Sequence, residues 1–164
     1  MIARQLDQDD VSTFRALRLA SLKDEPDNFG STYEDWHSRP DAELRAFLKD
    51  EPIFAAFDGD QPVGLTGLIP EKKSKQAHRW GLAMVYVAPE ARGSGAANAL
   101  ISTAVAFANG AGVLQLELSV NATNARAIRF YERHGFQHTG KIPRGYRIDG
   151  GFADEVLMVR LLDT

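Results

Sequence analysis

The run Val85-Tyr86-Val87-Ala88-Pro89-Glu90-Ala91-Arg92-Gly93-Ser94-Gly95-Ala96-Ala97 holds the residue types that can receive a diphosphate. A strand-like stretch enters a glycine-rich turn, and small residues then open a helix. The first N–H groups of a helix have no internal partner and sit at the positive end of its dipole. Gly93, Gly95, Ala96 and Ala97 put no bulky side chain between those donors and a phosphate. Arg92 adds a cation with forked donors. A dinucleotide fingerprint of the G-x-G-x-x-G/A kind is the competing reading, with Glu117 as its ribose-binding acid. Asn98 stands where that pattern needs a third glycine or alanine, and the cradle follows an antiparallel meander rather than opening a βαβ series.

A second cluster lies in Asn124–Phe136. Seven residues bring a helix back to nearly the same face, so Asn124 and Tyr131 align, with Ala127 and Ile128 between them. An amide, small or apolar residues and then a phenol make a stripe that can wall a groove. The elements that must position both clusters follow from periodicity. IARQL reads as a short strand, and Asp9 or Asp10 caps a helix running to about Leu22. A shorter helical piece at Thr32–His37 and a third helix capped by Asp41 come next. IFAAF and VGLTGLI read as a hairpin, followed by a strand from Trp80 to Val87. The helix after the glycines carries Ala97, Leu100, Ile101, Ala104 and Phe107 on one face and closes at Gly110. In VLQLELSV, Leu114, Leu116, Leu118 and Val120 share a face; a helix then runs from about Asn124 to His134, and two strands turn at Asp149-Gly150-Gly151. The order specifies an α/β chain with a mixed sheet.

The 164 residues fit one domain, 1–164, with a core of its own. No cysteine is present, which excludes disulfides, thiolate metal sites and cysteine nucleophiles, and the four histidines include no His-x-x-x-His pair on a helix, so no metal is expected. No apolar run spans a bilayer and the start lacks a signal-peptide core, so neither membrane contact nor export is expected and the expected compartment is the cytoplasm. A net charge of −3 argues against nucleic acid as a partner. The charge is split: residues 1–60 carry fourteen acids and seven bases, whereas 61–164 carry eight acids and twelve bases. That split suits a cationic partner at the front half and an anionic one at the back. The loop Glu71–Gln76, with Lys72, Lys73 and Lys75, reads as solvated.

The run V-x-V-x-P-x-x-R-G-x-G-x-A (85–97), followed by L-x-V-x-x-x-N-x-x-A-x-x-x-Y-x-x-x-G-F (118–136), resembles the GNAT superfamily of acyl-CoA-dependent N-acetyltransferases. The front segment LRLASLKDEPDNFGSTYEDW and the ending DGGFADEVLMVRLL resemble a bacterial subgroup of it. The resemblance implies a mixed, mostly antiparallel central sheet of about seven strands, about four helices and a V-shaped splay between the two central strands. It also implies acetyl-CoA as co-substrate and an amine acceptor as partner, with a homodimer as one assembly open to it. Residue by residue, the backbone of Met84, Val85, Tyr86 and Val87 would bond pantetheine amides as a pseudo-strand. The N–H groups of Arg92, Gly93, Ser94, Gly95, Ala96 and Ala97 would take the pyrophosphate, and Asn124 would bond pantetheine. Tyr131 would reach the thioester sulfur. Ala96-Ala97 departs from the usual bulkier aliphatic and glycine.

The implied chemistry is attack of a neutral amine on the thioester carbonyl. A thiol has a pKa of about 8.5 and a tyrosine of about 10, so the Tyr131 phenol can serve the departing sulfur. A backbone N–H at Val87 would steady the oxyanion. The base is open between Glu34, His78, Glu117 and water. The acceptor side would be walled by Phe29, Tyr33, Trp36, Tyr146 and Phe152, with Asp27, Glu34 and Asp35 nearby, which suits an ammonium on an apolar body. A module that binds acyl-CoA without turnover is the rival function, and a dinucleotide oxidoreductase the remote one.

Overall fold

The computed structural model describes residues 1–164. One sheet contains β1 (Ile2–Gln5), β2 (Ile53–Asp58), β3 (Gln61–Ile69), β4 (Arg79–Val87), β5 (Gln115–Asn121), β6 (Gln137–Ile148) and β7 (Gly151–Leu161). Their spatial order is β1-β2-β3-β4-β5-β7-β6. The helices are α1 (Val11–Asp24), α2 (Tyr33–His37), α3 (Asp41–Asp50), α4 (Ala96–Gly110) and α5 (Ala125–Arg133), five where about four were expected. All neighbouring strands are antiparallel except β4 and β5, which α4 connects in parallel.

Several boundaries differ from those the residue pattern implies. Neither Asp9 nor Asp10 caps α1 with its side chain: Asp7 accepts from the Asp9 N–H, Asp10 bonds the Asp7 N–H in return, and this box closes a 3₁₀ turn ahead of the helix. Asp41 is the first residue of α3, behind Pro40, and makes no cap. Gly110 is the last residue of α4; the positive φ that follows the helix, 79°, belongs to Gly112. Leu114 precedes β5 and is 44% exposed, so the inward row is Leu116, Leu118 and Val120.

The sheet is apolar on both faces. On one, Phe14, Leu17, Leu22, Trp36, Leu44 and Leu48 of α1–α3 pack on Ile53, Ala55, Leu65 and Met84. Arg18 is built into this layer, its guanidinium over Phe29 at 5.3 Å and over Trp36 at 4.8 Å, which fixes the chain after α1. On the other, Leu100, Ile101, Ala104 and Ala108 of α4 pack on Phe54, Leu68, Leu82 and Leu116.

Two departures from regular pairing create the site. Opposite Thr66 alone, β4 sets both Met84 and Val85, because Leu65 pairs with Tyr86 and Gly67 with Ala83. Met84 carries this bulge at a φ of 58°, a left-handed conformation that a non-glycine residue adopts at a cost. The bulge sends Ala83 and Met84 to the same layer and returns Val85 to the other. Further along, β4 and β5 pair only at Arg79–Gly81 with Gln115–Glu117. From Leu82 onward the β5 side of β4 is unpaired, and the sheet opens into a V.

Candidate active site

The V holds a cavity of about 550 Å³. Its walls are β4 from Leu82 to Val87, the turn and helix start from Ala91 to Asn98, Ser119 and Val120 of β5, and one face of α5. Glu25, Asn28 and Phe29, from the segment after α1, close the far side.

The glycine turn leaves its donors free. Gly93 and Gly95 have φ of 79° and 92°, and a Cβ on either would meet nothing within 4 Å, so conformation rather than crowding requires glycine. Gly95 is the N-cap of α4 and brings no capping side chain. The N–H groups of Gly93, Gly95, Ala97 and Asn98 find no acceptor in the chain. Those of Arg92 and Ser94 are bonded to Pro89 and Ala91 carbonyls, and that of Ala96 leans on the Ser94 hydroxyl at 3.4 Å. The expected donor row from Arg92 through Ala97 is thus reduced to its alternate members plus Asn98. Ser94 does not line the cavity; its hydroxyl turns to the Ala91 carbonyl. Nor does the Arg92 guanidinium stand free: Nη2 is 2.6 Å from Glu25 Oε1.

Across the V, Asn124 is the N-cap of α5, its Oδ1 accepting from the Ala127 N–H at 3.1 Å. Its amide nitrogen takes no part in that bond. Asn124, Ala127 and Tyr131 do share the cavity face, joined by Arg126, Phe130 and Arg133, while Ile128 turns to the core instead. The Tyr131 ring stands edge-on to Phe130 and Phe136, and no side chain bonds its hydroxyl. Burial, reinforced by the charge of Glu25, holds this phenol well above the ordinary tyrosine range, so it keeps its proton at neutral pH.

Three expected bases lie elsewhere. Glu117 sits at the closed end of the V, where Arg79 grips it with two nitrogens and Gln115 adds a third bond; the guanidinium holds its carboxyl below the usual range. That position, at the start of β5, is also the wrong end for a ribose-binding acid, although β4-α4-β5 does form one βαβ unit. His78 is exposed at the same closed end and Glu34 is exposed on α2. Of the expected acceptor wall only Phe29 lines the cavity; Trp36 is core, Phe152 is 46% exposed beneath Arg144 and Arg147, and Tyr33 and Tyr146 stand outside it. Asp35 is spent in a capping box with Thr32, and Asp27 contributes a carbonyl that receives Asn121 Nδ2. The lining residues that sequence reasoning missed include Glu25, Asn28, Ser119, Arg126 and Arg133. The charge split pointed to their signs: the lining cations come from the back of the chain, the carboxylate from the front.

A strand with an open edge, a bulge, a free-donor glycine turn and a phenol facing it define an acetyltransferase fold. Residues 16–136 match the acetyltransferase (GNAT) family, and the chain belongs to it. It is 35% identical over 115 residues to the streptothricin acetyltransferase of Streptomyces lavendulae, covering 70% of this chain and 56% of that protein. It is 31% identical over 96 residues to the peptidyl-lysine N-acetyltransferase YjaB of Salmonella typhimurium, covering 58% and 57%. An uncharacterised N-acetyltransferase of Mycobacterium tuberculosis is 38% identical over 81 residues, 49% of this chain and 51% of that one. The chain spans about half the length of these relatives. Among solved structures, a GNAT acetyltransferase from Streptococcus pneumoniae superposes with a TM-score of 0.86 at 23% identity, over 98% of both chains. The yncA structure from Salmonella typhimurium, solved with acetyl-CoA, gives 0.85 at 18% identity, over 100% of this chain and 95% of that one.

Proposed function

We propose that the chain transfers an acetyl group from acetyl-CoA to a primary amine while both occupy the V. The carrying observation is the open β4 edge between a turn of unpaired N–H groups and an unbonded, protonated phenol. A diphosphate fits the donors of Gly93, Gly95, Ala97 and Asn98, with Arg92, Arg126 and Arg133 supplying positive charge around the same cavity. Pantetheine amides fit the β4 edge from Met84 to Val87, where they extend the sheet as a strand would. The free amide nitrogen of Asn124 faces them from α5. One similar protein is named for peptidyl lysine, whose side chain is a primary amine.

Bound acetyl-CoA supplies a thioester, with a carbonyl open to an amine and a sulfur that can leave. Past Gly81 the β5 side of β4 is unpaired, and a backbone N–H there, that of Val87, would bond the reacting carbonyl oxygen. Tyr131 donates its phenolic hydrogen to the sulfur. Because its pKa is raised, it acts as a hydrogen-bond donor over the whole neutral range and gives up the proton only to a stronger base. Leu82, Val120 and Phe130 keep that part of the cavity apolar and favour aminolysis over hydrolysis.

Calorimetry with acetyl-CoA and a thiol-release assay across an amine panel test this reading. Micromolar donor binding with amine-dependent thiol release is expected. Binding without release from any amine makes the chain a binding module, and absence of binding at millimolar donor removes the reading altogether.

A further inference from the structure

Helix α1 ends in two carboxylates, Asp24 and Glu25, at the negative pole of its dipole, where acids are unfavourable. Each is matched by a group from the V. Tyr86 donates its hydroxyl to Asp24 at 2.6 Å, and Arg92 Nη2 holds Glu25 Oε1 at the same distance. Asp24 stays outside the cavity, whereas Glu25 is the sole carboxylate in its lining and has Asn28 and Phe29 beside it. Its charge reaches both Tyr131 and Tyr86. Its partner Arg92 belongs to the glycine turn, immediately before Gly93.

We propose that Glu25 is the residue that receives the acceptor's ammonium group, and that Arg92 masks it until a diphosphate draws that arginine away. The inference rests on the donor reading above and adds to it the acceptor subsite. A diphosphate held by the N–H groups of Gly93 and Gly95 competes with Glu25 for one guanidinium. The exchange leaves a carboxylate in the cavity beside an amide and an aromatic face, a set that suits an ammonium on an apolar body. There Glu25 holds the ammonium by charge and hydrogen bond while one N–H proton leaves to water, giving a neutral amine with its lone pair. Diphosphate and ammonium binding therefore favour one another, by equal factors.

A double-mutant cycle read by calorimetry with coenzyme A tests the clasp without turnover. Glu25→Gln is expected to tighten coenzyme A roughly two- to fivefold, the scale of a half-exposed ion pair. In an Arg92→Ala background the same substitution should change nothing. Glu90→Gln, which removes an exposed carboxylate near the turn but outside the lining, should leave affinity unchanged. In steady state, Glu25→Gln should lower kcat/KM for a protonated alkylamine on the order of tenfold. An arylamine that is neutral at pH 7 should be affected less than about twofold. Additive effects in the cycle, or equal losses with the two amines, overturn the proposal while leaving donor binding intact. Failure of the unsubstituted protein to bind coenzyme A overturns the donor reading and this inference with it.

Discussion

Tyr131 combines two jobs that a single substitution separates. Its ring packs on Phe130 and Phe136, and its hydroxyl is unbonded within the chain. Tyr131→Phe keeps the ring, so the maximal rate should fall on the order of 10²-fold while calorimetry shows donor affinity nearly unchanged. An unaltered rate would make the residue a wall only. Asn124 likewise has two jobs, since one oxygen caps α5 and the amide nitrogen is left for a ligand. Asn124→Ser should retain the cap and the melting temperature yet weaken donor binding; Asn124→Ala should lose both, with about 1 kcal/mol of stability from the cap. Equal melting temperatures for the two variants would remove the capping role. Asn124 and Tyr131 were readable because seven residues of helix set them on one face. Glu25 was not: its partner lies 67 residues away, and no local spacing announces an ion pair of that reach.

At the scale of elements, the turn before α4 depends on left-handed backbone. Gly95→Val forces a β-branched residue to a φ of 92° in the turn that carries the free N–H groups. Acetyl-CoA affinity should drop at least tenfold, judged by the cost of such strain, whereas use of acetyl-pantetheine, which has no diphosphate, should hardly change. Equal loss with both donors would mean damage to the fold. Strand, turn and helix were all legible here because glycine, alanine and proline mark backbone conformation directly. The bulge was not, for Met84 has an ordinary β-strand side chain, and its positive φ is imposed by pairing with β3 rather than by its own preference. The capping bonds were misassigned for a related reason, although Asp10 does hold the N-cap position of α1. Around Asp7–Asp10 three acids compete for one N-terminus, and only the folded turn decides which carboxylate meets which N–H.

For the whole molecule, partners hold Asp10, Asp35, Asp41, Glu71, Glu117 and Asp154 below their ordinary pKa values, while burial raises only Glu51 among the carboxylates. A carboxylate whose folded pKa is depressed adds stability that is complete above its unfolded value and is lost as pH falls through the folded one. Melting temperature should therefore decline slightly below about pH 6.5, where burial holds the His134 imidazole under its ordinary value, and fall further below about 4, less steeply in high salt because most of the carboxylates are exposed. A melting temperature unchanged at pH 2 would count against this. The mixed seven-strand sheet and its splay were implied by the resemblance, but the strand order was not, and at the parallel pair Arg79 and Glu117, with Gln115 beside them, pin the strands together at one end only. This gives the sheet a seam. On one side lie four strands clasped by α1–α4; on the other, β5–β7 with α5, tied back near the mouth by the bond from Asn121 to the Asp27 carbonyl and by His134 Nε2 with Asn98 Oδ1 on α4. On the proposed function, pantetheine laid along the seam would serve as an eighth strand of an otherwise interrupted weave. Amide exchange should then slow together in β4 and in α5 when coenzyme A is added, though neither contains the glycine turn that would hold the diphosphate. On that reading, the slit that admits the substrate would also be the place where the substrate repairs the sheet.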